Sequence, residues 1–280
     1  MNREPSRSEP WRAVAEELAR GAGAVLMRYF GSAFEIGYKG AQDLVTPADR
    51  DSEAFLVGEL HRRFPDHAVL AEEGGGRAQA ARYRWLVDPL DGTTNFAHGY
   101  PFFTVSVGLE EALPGHEGEA GRRGPMVAAA VYDPTRDECF TAAAAGGALL
   151  NGRPIRVSEV DRLERSLLVT GFPYDLRERP EESLRYFAAL LPIAQAVRRD
   201  GSAALNLCYL ACGRFDAFWE IKLHAWDTAA ASLVAEEAGG RVTDFAGGPF
   251  DPFGIECAGS NGRVHPELLA VLGRFPRPGH

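Results

Sequence analysis

The segment Trp85-Leu86-Val87-Asp88-Pro89-Leu90-Asp91-Gly92-Thr93-Thr94-Asn95-Phe96 constrains this chain more than any other. An apolar strand runs into a turn with two carboxylates three residues apart, and Gly-Thr-Thr then opens a short helix. Pro89 restricts the backbone of that turn and helps to hold both acids toward one point. The first backbone N–H groups of a helix, here at Gly92 and Thr93, have no partner within it and suit a phosphate. Carboxylates aimed at the same spot would repel that phosphate unless divalent cations lie between them, and oxygen-only donors favour Mg²⁺. Helix capping alone would need only one of the two acids.

Two further groups of acids fit that picture. Glu72 and Glu73 follow a short apolar strand and precede Gly74-Gly75-Gly76, which places them at a strand end on a flexible loop. Asp227 sits in Ala225-Trp226-Asp227-Thr228 at a helix start. Read singly, the first pair is a solvated one and the second an ordinary N-cap. Taken with Asp88 and Asp91, they supply enough acidic ligands for two or more hard cations.

The remaining pattern sets a frame for these groups. Apolar residues recur every three or four positions from Trp11 to Phe30, the stripe of a buried helix. Thr46-Pro47-Ala48-Asp49 starts a second helix running to about Phe64, with Thr46 as cap, Pro47 in the first turn and Asp49 against the helix dipole. Strands are expected at 67–71, 84–87, 103–109, 126–132 and 138–142, and Asn151-Gly152 reads as a hairpin turn joining 148–150 to 154–157. The Gly-rich, mixed-charge stretch from Ala112 to Pro125 reads as a surface loop.

Beyond residue 160 strands and helices alternate: strand at 166–170, helix over most of 181–196, helix at 203–212, strand at 215–221, helix at 228–238, strand at 255–258 and helix at 266–272. This order predicts an N-terminal antiparallel α+β half over 1–155 and a C-terminal α/β half over 156–280.

Composition excludes several other classes. The 280 residues are 45% hydrophobic and 25% charged, ordinary globular proportions. A formal charge of -9 gives no basic footing on nucleic acid or anionic lipid. Residues 1–10 hold Arg3, Glu4, Arg7 and Glu9 and no apolar core, and no apolar run reaches the roughly 18 residues a membrane span needs, so a cytoplasmic protein is expected. Cys139, Cys208, Cys212 and Cys257 show no metal spacing, nor do the seven histidines, and the cysteines read as reduced thiols.

Asp88 to Phe96 resembles the signature of the inositol monophosphatase family of Mg²⁺-dependent, lithium-sensitive phosphatases. Asp43-Leu44-Val45-Thr46-Pro47-Ala48-Asp49 is similar to the family's upstream block, with Lys39 shortly before it where relatives often have a lysine. Ala71-Glu72-Glu73, Gly201-Ser202-Ala203-Ala204, Trp226-Asp227 and Gly239 to Asp244 follow in the family's order.

The resemblance implies a layered αβαβα sugar-phosphatase-like fold, a homodimer and two to three Mg²⁺ per site. It implies Glu72, Asp88 and the Leu90 carbonyl as ligands of a first ion, Asp88, Asp91 and Asp227 of a second, and Glu72 again of a weaker third. Thr93, hydrogen-bonded to Asp49 with Thr46 in support, would orient and help deprotonate the attacking water. The Gly92 and Thr93 N–H groups would hold the phosphate, with Asp91 and Asp227 also beside the substrate. Ser202, Ala203 and Glu220 would line its alcohol side.

Relatives acting on 3′-phosphoadenosine 5′-phosphate or histidinol phosphate typically carry a lysine after the Gly-Thr. This chain has Thr94-Asn95-Phe96 there, which points to inositol monophosphates. Relatives hydrolysing fructose 1,6-bisphosphate share nearly the same metal signature. A regulatory protein- or RNA-binding role on the same scaffold is the alternative of another class; the retained carboxylates and the absence of a basic run speak against it.

Overall fold

The computed structural model describes residues 8–33, 37–38, 44–76, 81–113 and 124–279. Lys39, Asp43 and 114–123 of the expected surface loop lie outside them. Helix α1 (Glu9–Tyr29) turns its Ala15, Leu18, Ala22 and Leu26 stripe inward, as the periodicity requires. Strands β1 (Gly37–Tyr38) and β2 (Leu44–Val45) form a two-stranded ribbon leading into α2 (Pro47–Arg63). A capping box fixes the start of α2: Ala48 N–H donates to Thr46 Oγ1, and the Asp49 carboxylate accepts from Thr46 N–H.

Two sheets follow. The first holds seven strands in sequence order, β3 (Ala68–Ala71), β4 (Tyr83–Asp91), β5 (Thr104–Glu111), β6 (Met126–Asp133), β7 (Glu138–Ala143), β8 (Gly147–Leu150) and β9 (Arg153–Pro154), with α3 (Thr93–Ala97) between β4 and β5. Every pair is antiparallel except β3 with β4. The second comprises β10 (Leu167–Thr170), β11 (Ala196–Arg198), β12 (Ala217–Ile221), β13 (Arg241–Thr243) and β14 (Glu256–Ser260), in the order β11-β10-β12-β14-β13. In it β11, β10 and β12 run parallel, and β14 runs antiparallel to both its neighbours. The later helices are α4 (Pro180–Leu190), α5 (Ala203–Ala211), α6 (Ala225–Glu237) and α7 (His265–Leu272).

Three apolar cores stack these elements into the expected five layers. α1 and α2 press Leu18, Leu26, Leu56 and Leu60 against Trp85, Val87, Val105 and Val107 on one face of the first sheet. α5 and α6 fill the space between the sheets, where Leu205, Cys208, Ala230 and Val234 meet Val131 and Phe140 on one side and Val169 and Phe218 on the other. α4 and α7 cover the far face of the second sheet through Tyr186, Leu190, Leu268 and Leu272. A helix buried between two sheets must be apolar nearly all round, and the small Ala229-Ala230-Ala231 run lets α6 fit. The order is αβαβα, and among the described residues no helix is long and apolar enough to cross a membrane.

Four local expectations are corrected. The helix expected over 181–196 stops at Leu190, and Ala196–Arg198 pairs with β10 as a strand. Pro192 explains the break, since it lacks the N–H and clashes with the preceding turn. The second arm of the Asn151-Gly152 hairpin covers only Arg153–Pro154. α6 begins at Ala225 rather than Thr228, so Asp227 is not the N-cap residue but the third residue of the helix, whose carboxylate reaches back to the N–H of the N-cap His224. Over 72–76 the loop is tied down rather than flexible, because Glu53 accepts from the Glu73 and Gly75 N–H groups.

Candidate active site

β4 brings Asp88 and Asp91 to one side by a break in its pairing. Residues three apart on a regular strand point to opposite faces. Here Asp88 faces Ser106 and Asp91 faces Thr104, so three steps along β4 match two along β5, and the bulge around Pro89 turns both acids into the same cleft. Leu90 N–H donates to Asp88 Oδ1 at 2.9 Å and closes the turn. Gly92 follows with φ +101°, and a Cβ there would stand 3.1 Å from the Phe102 carbonyl oxygen; only glycine fits this junction of strand and helix.

The cleft opens between the sheets. Glu72 enters it from the end of β3, Asp88 and Asp91 from β4, Ser202 and Ala203 from the start of α5, Glu220 from β12 and Asp227 from the first turn of α6. Leu90, Gly92 and Thr93 line its floor, and Gly171, Phe172, Tyr174, Arg199, Lys222 and His224 form the opposite rim. Asp49 lies behind the floor, fully buried. The structure thus gathers every expected site residue in or directly behind one cleft.

Behind the phosphate-side turn runs a relay of short contacts. The Thr93 hydroxyl lies 3.0 Å from both Asp49 Oδ1 and the Leu90 carbonyl, and its single proton serves one of them at a time. Asp49 Oδ2 accepts from the Thr46 hydroxyl at 2.6 Å and its N–H at 2.7 Å. Burial raises the Asp49 carboxyl above its ordinary value, the Thr46 and Thr93 hydrogen bonds pull it back, and Glu73 pushes it up again. Ser52 on the same helix donates to the Pro89 carbonyl at 2.9 Å and holds α2 against the turn.

The acids crowd one another. Asp88 is held well above the usual carboxylate range, first by burial and then by Glu72, Asp91 and Asp227. Close approach of the Glu72 carboxyl adds to this, so that each of the two disfavours ionisation of the other. Asp227 is likewise raised by burial, Asp91 and Glu72, although its Oδ2 accepts from His224 N–H at 2.8 Å. Asp91 is pushed up to about 6 by burial, against Ser202, Ala204 and Ala203. Its Oδ2 accepts from the Ser202 hydroxyl at 2.6 Å and from Ala204 N–H at 2.7 Å. Glu220 is pushed up to about 8, by burial first and Asp91 second, with Arg199 and Asn206 opposing.

Among the described residues, no three His, Cys, Asp or Glu side chains stand ready around one point to hold a metal ion. The acids are engaged elsewhere, Asp88 with Glu72 and Asp91 with α5. The donor chemistry nonetheless suits a hard cation: the carboxylates of Glu72, Asp88, Asp91, Glu220 and Asp227 share one cleft with Leu90, whose carbonyl adds a further oxygen donor. The Lys222 ammonium on the rim is taken up by Asp175 at 2.7 Å and Glu182 at 2.6 Å.

The sequence model of the inositol monophosphatase family matches residues 7–274. The chain belongs to this family. It is 42% identical over 276 residues to an inositol-1-monophosphatase from Synechocystis sp., covering 98% of this chain and 92% of that one. It is also 42% identical over 246 residues to the Nus factor SuhB of Pseudomonas aeruginosa, covering 85% and 87% of the two. The solved inositol monophosphatase from Anabaena (Nostoc) sp. superposes with a TM-score of 0.84 at 41% identity, covering 97% of this chain and 98% of that chain. As a member of the inositol monophosphatase family, it is a phosphatase by descent.

Within this family frame the structure adds residues that the sequence reading left out. Asn95 donates from Nδ2 to the Phe102 and Asp200 carbonyls, both at 2.8 Å, and so fastens α3 to the segment preceding Ser202. Its place in the Thr-Thr-Asn-Phe run was visible; its partner 105 residues away was not. Lys222 adopts φ +59°, unusual outside glycine, and its ion pairs with Glu182 and Asp175 tie the rim to α4 and to the turn before it. Arg199 packs over the Phe172 ring at 6.0 Å from its centroid and faces Glu220.

Proposed function

We propose that this chain hydrolyses phosphate monoesters with Mg²⁺, and that myo-inositol monophosphates are its preferred substrates. The observation that carries the reading is the crowding of Glu72, Asp88, Asp91 and Asp227 on one wall of the cleft, beside the Thr93–Asp49 contact. In this reading these four acids and the Leu90 carbonyl hold two to three ions. Bound Mg²⁺ supplies charge neutralisation for the ester and lowers the pKa of the attacking water.

The protein's own groups do the rest. Thr93 accepts a hydrogen bond or proton from the water as its hydroxyl donates to Asp49, whose raised pKa suits it to take that proton. The Gly92 and Thr93 N–H groups, at the start of α3, hold the phosphate. Ser202 keeps Asp91 in place through its hydroxyl and, with Ala203 and Glu220, faces the alcohol. A carboxyl pushed up to about 8 can donate to or accept from the hydroxyls of a polyol. The family resemblance extends to a cytoplasmic homodimer and to lithium sensitivity in the same reading.

The test is a phosphate-release screen over inositol monophosphates, glycerol phosphates and fructose 1,6-bisphosphate, with and without Mg²⁺. Inositol monophosphates should give the highest kcat/KM, and chelation should abolish release. A preference of about tenfold or more for fructose 1,6-bisphosphate would overturn the substrate assignment. Relatives named Nus factor SuhB favour a second reading, a regulatory role for the same scaffold through a protein or RNA partner. The two readings separate in a protein that has lost its chemistry but kept its fold.

A further inference from the structure

Helix α2 carries a second buried acid one turn beyond Asp49. Glu53 is 4% exposed, and its two oxygens are shared between two backbone donors of the loop after β3. Oε2 accepts from Glu73 N–H at 2.6 Å and Oε1 from Gly75 N–H at 2.7 Å. The loop has been shaped to the carboxylate: a Cβ on Gly75 would stand 2.7 Å from Glu53 Oε1. Charge-assisted bonds from a buried carboxylate to backbone amides are among the stronger and more directional contacts a loop can have.

Glu72 immediately precedes the first of those amides. We propose that Glu53 is a positioning residue that fixes the Glu72 backbone, so that the strength of cation binding is set from α2. The inference rests on the reading of Glu72 as a Mg²⁺ ligand. Asp49, Ser52 and Glu53 lie on one face of α2 and hold, in turn, Thr93, the Pro89 carbonyl and the Glu72 loop. One helix thereby references the water-side, turn and cation-side groups to a common rigid body. Partners that orient a metal's ligands typically contribute about 10–100-fold to its affinity.

The test uses Glu53→Gln, which keeps the shape but leaves one amide of the loop facing an NH₂ group. Mg²⁺ half-saturation is read from the thermal shift of the full chain without substrate, and amide exchange is followed at Glu73 and Gly75. The expected result is a rise of about tenfold in the half-saturating Mg²⁺, faster exchange at both amides, and activity that recovers as Mg²⁺ is raised. Gly75→Ala attacks the same contact from the loop side and should reproduce the shift with Glu53 intact; the double variant should fall short of the sum. It also carries the test if the Gln variant does not fold. A lowered Tm with wild-type Mg²⁺ half-saturation and wild-type exchange would overturn the inference. Indifference of the wild type to Mg²⁺ would instead sink the reading of the site, and this inference with it.

Discussion

Asp88 and Lys222 line the same cleft, yet their charges are handled in opposite ways. Lys222, on the rim, has Asp175 and Glu182 within 2.7 Å, so its ammonium is balanced inside the protein. Asp88, on the other wall, is 2% exposed and has Glu72, Asp91 and Asp227 pressing on it, which holds its carboxyl well above the usual range. A balanced rim can stand alone and present a shaped surface to an alcohol. An unbalanced wall stores repulsion that a bound cation would remove, which is why the proposed chemistry belongs on the acid side and the proposed selectivity on the other.

The contrast is broken most sharply at Asp91. Asp91→Asn can still accept from Ser202 and Ala204, so the fold should persist, and loss of one like charge should leave the metal-free protein no less stable. Phosphate release should nonetheless fall by at least about 10²–10³-fold, the cost of removing one electrostatic contributor to a transition state. Activity within a few-fold of wild type would place the chemistry elsewhere. A cellular role that survives in the inactive variant would favour the regulatory reading.

A smaller effect sharpens the other side. Glu220 is raised from the ordinary carboxylate range to about 8, so the folded protein binds its proton more tightly than the unfolded chain. Its contribution is therefore most favourable below the unfolded value and declines as pH rises from about 4.3 toward 8. Glu220→Gln should gain stability over wild type as pH rises through that window, and the gap should close at acidic pH. The same variant should compress the ranking of inositol over glycerol phosphates while leaving phosphate release from a simple ester largely intact. Parallel Tm–pH curves would remove the first role, and an unchanged ranking the second.

Much of the acid wall could be read from the sequence because the Asp88–Phe96 run is contiguous and its chemistry is self-contradictory without a cation. The β4 bulge that brings the two acids together was not legible: the residues after Val87 read as a turn, whereas pairing with β5 resumes at Asp91. The rim was harder to read. Lys222 meets partners 47 and 40 residues away, and Asn95 one 105 away, and no local periodicity records such pairings. Glu53 was hidden differently: a buried acid on an otherwise core-facing helix reads as a surface residue until its amide donors are seen, although Asp49, Ser52 and Glu53 at helical spacing form a polar stripe that could have drawn notice. The early end of α4 was written in Pro192, where the apolar pattern continued past a residue that cannot.

Titration calorimetry of Mg²⁺ into the chelator-treated protein, beside Asp88→Asn, tests the account most directly. The wild type should bind Mg²⁺ with proton release, because burial and the neighbouring acids raise the Asp88 and Asp227 carboxyls and a bound cation favours their ionised forms, and Asp88→Asn should lose most of that binding. A wild type that takes up no Mg²⁺ at millimolar concentration, yet still releases phosphate, would contradict it.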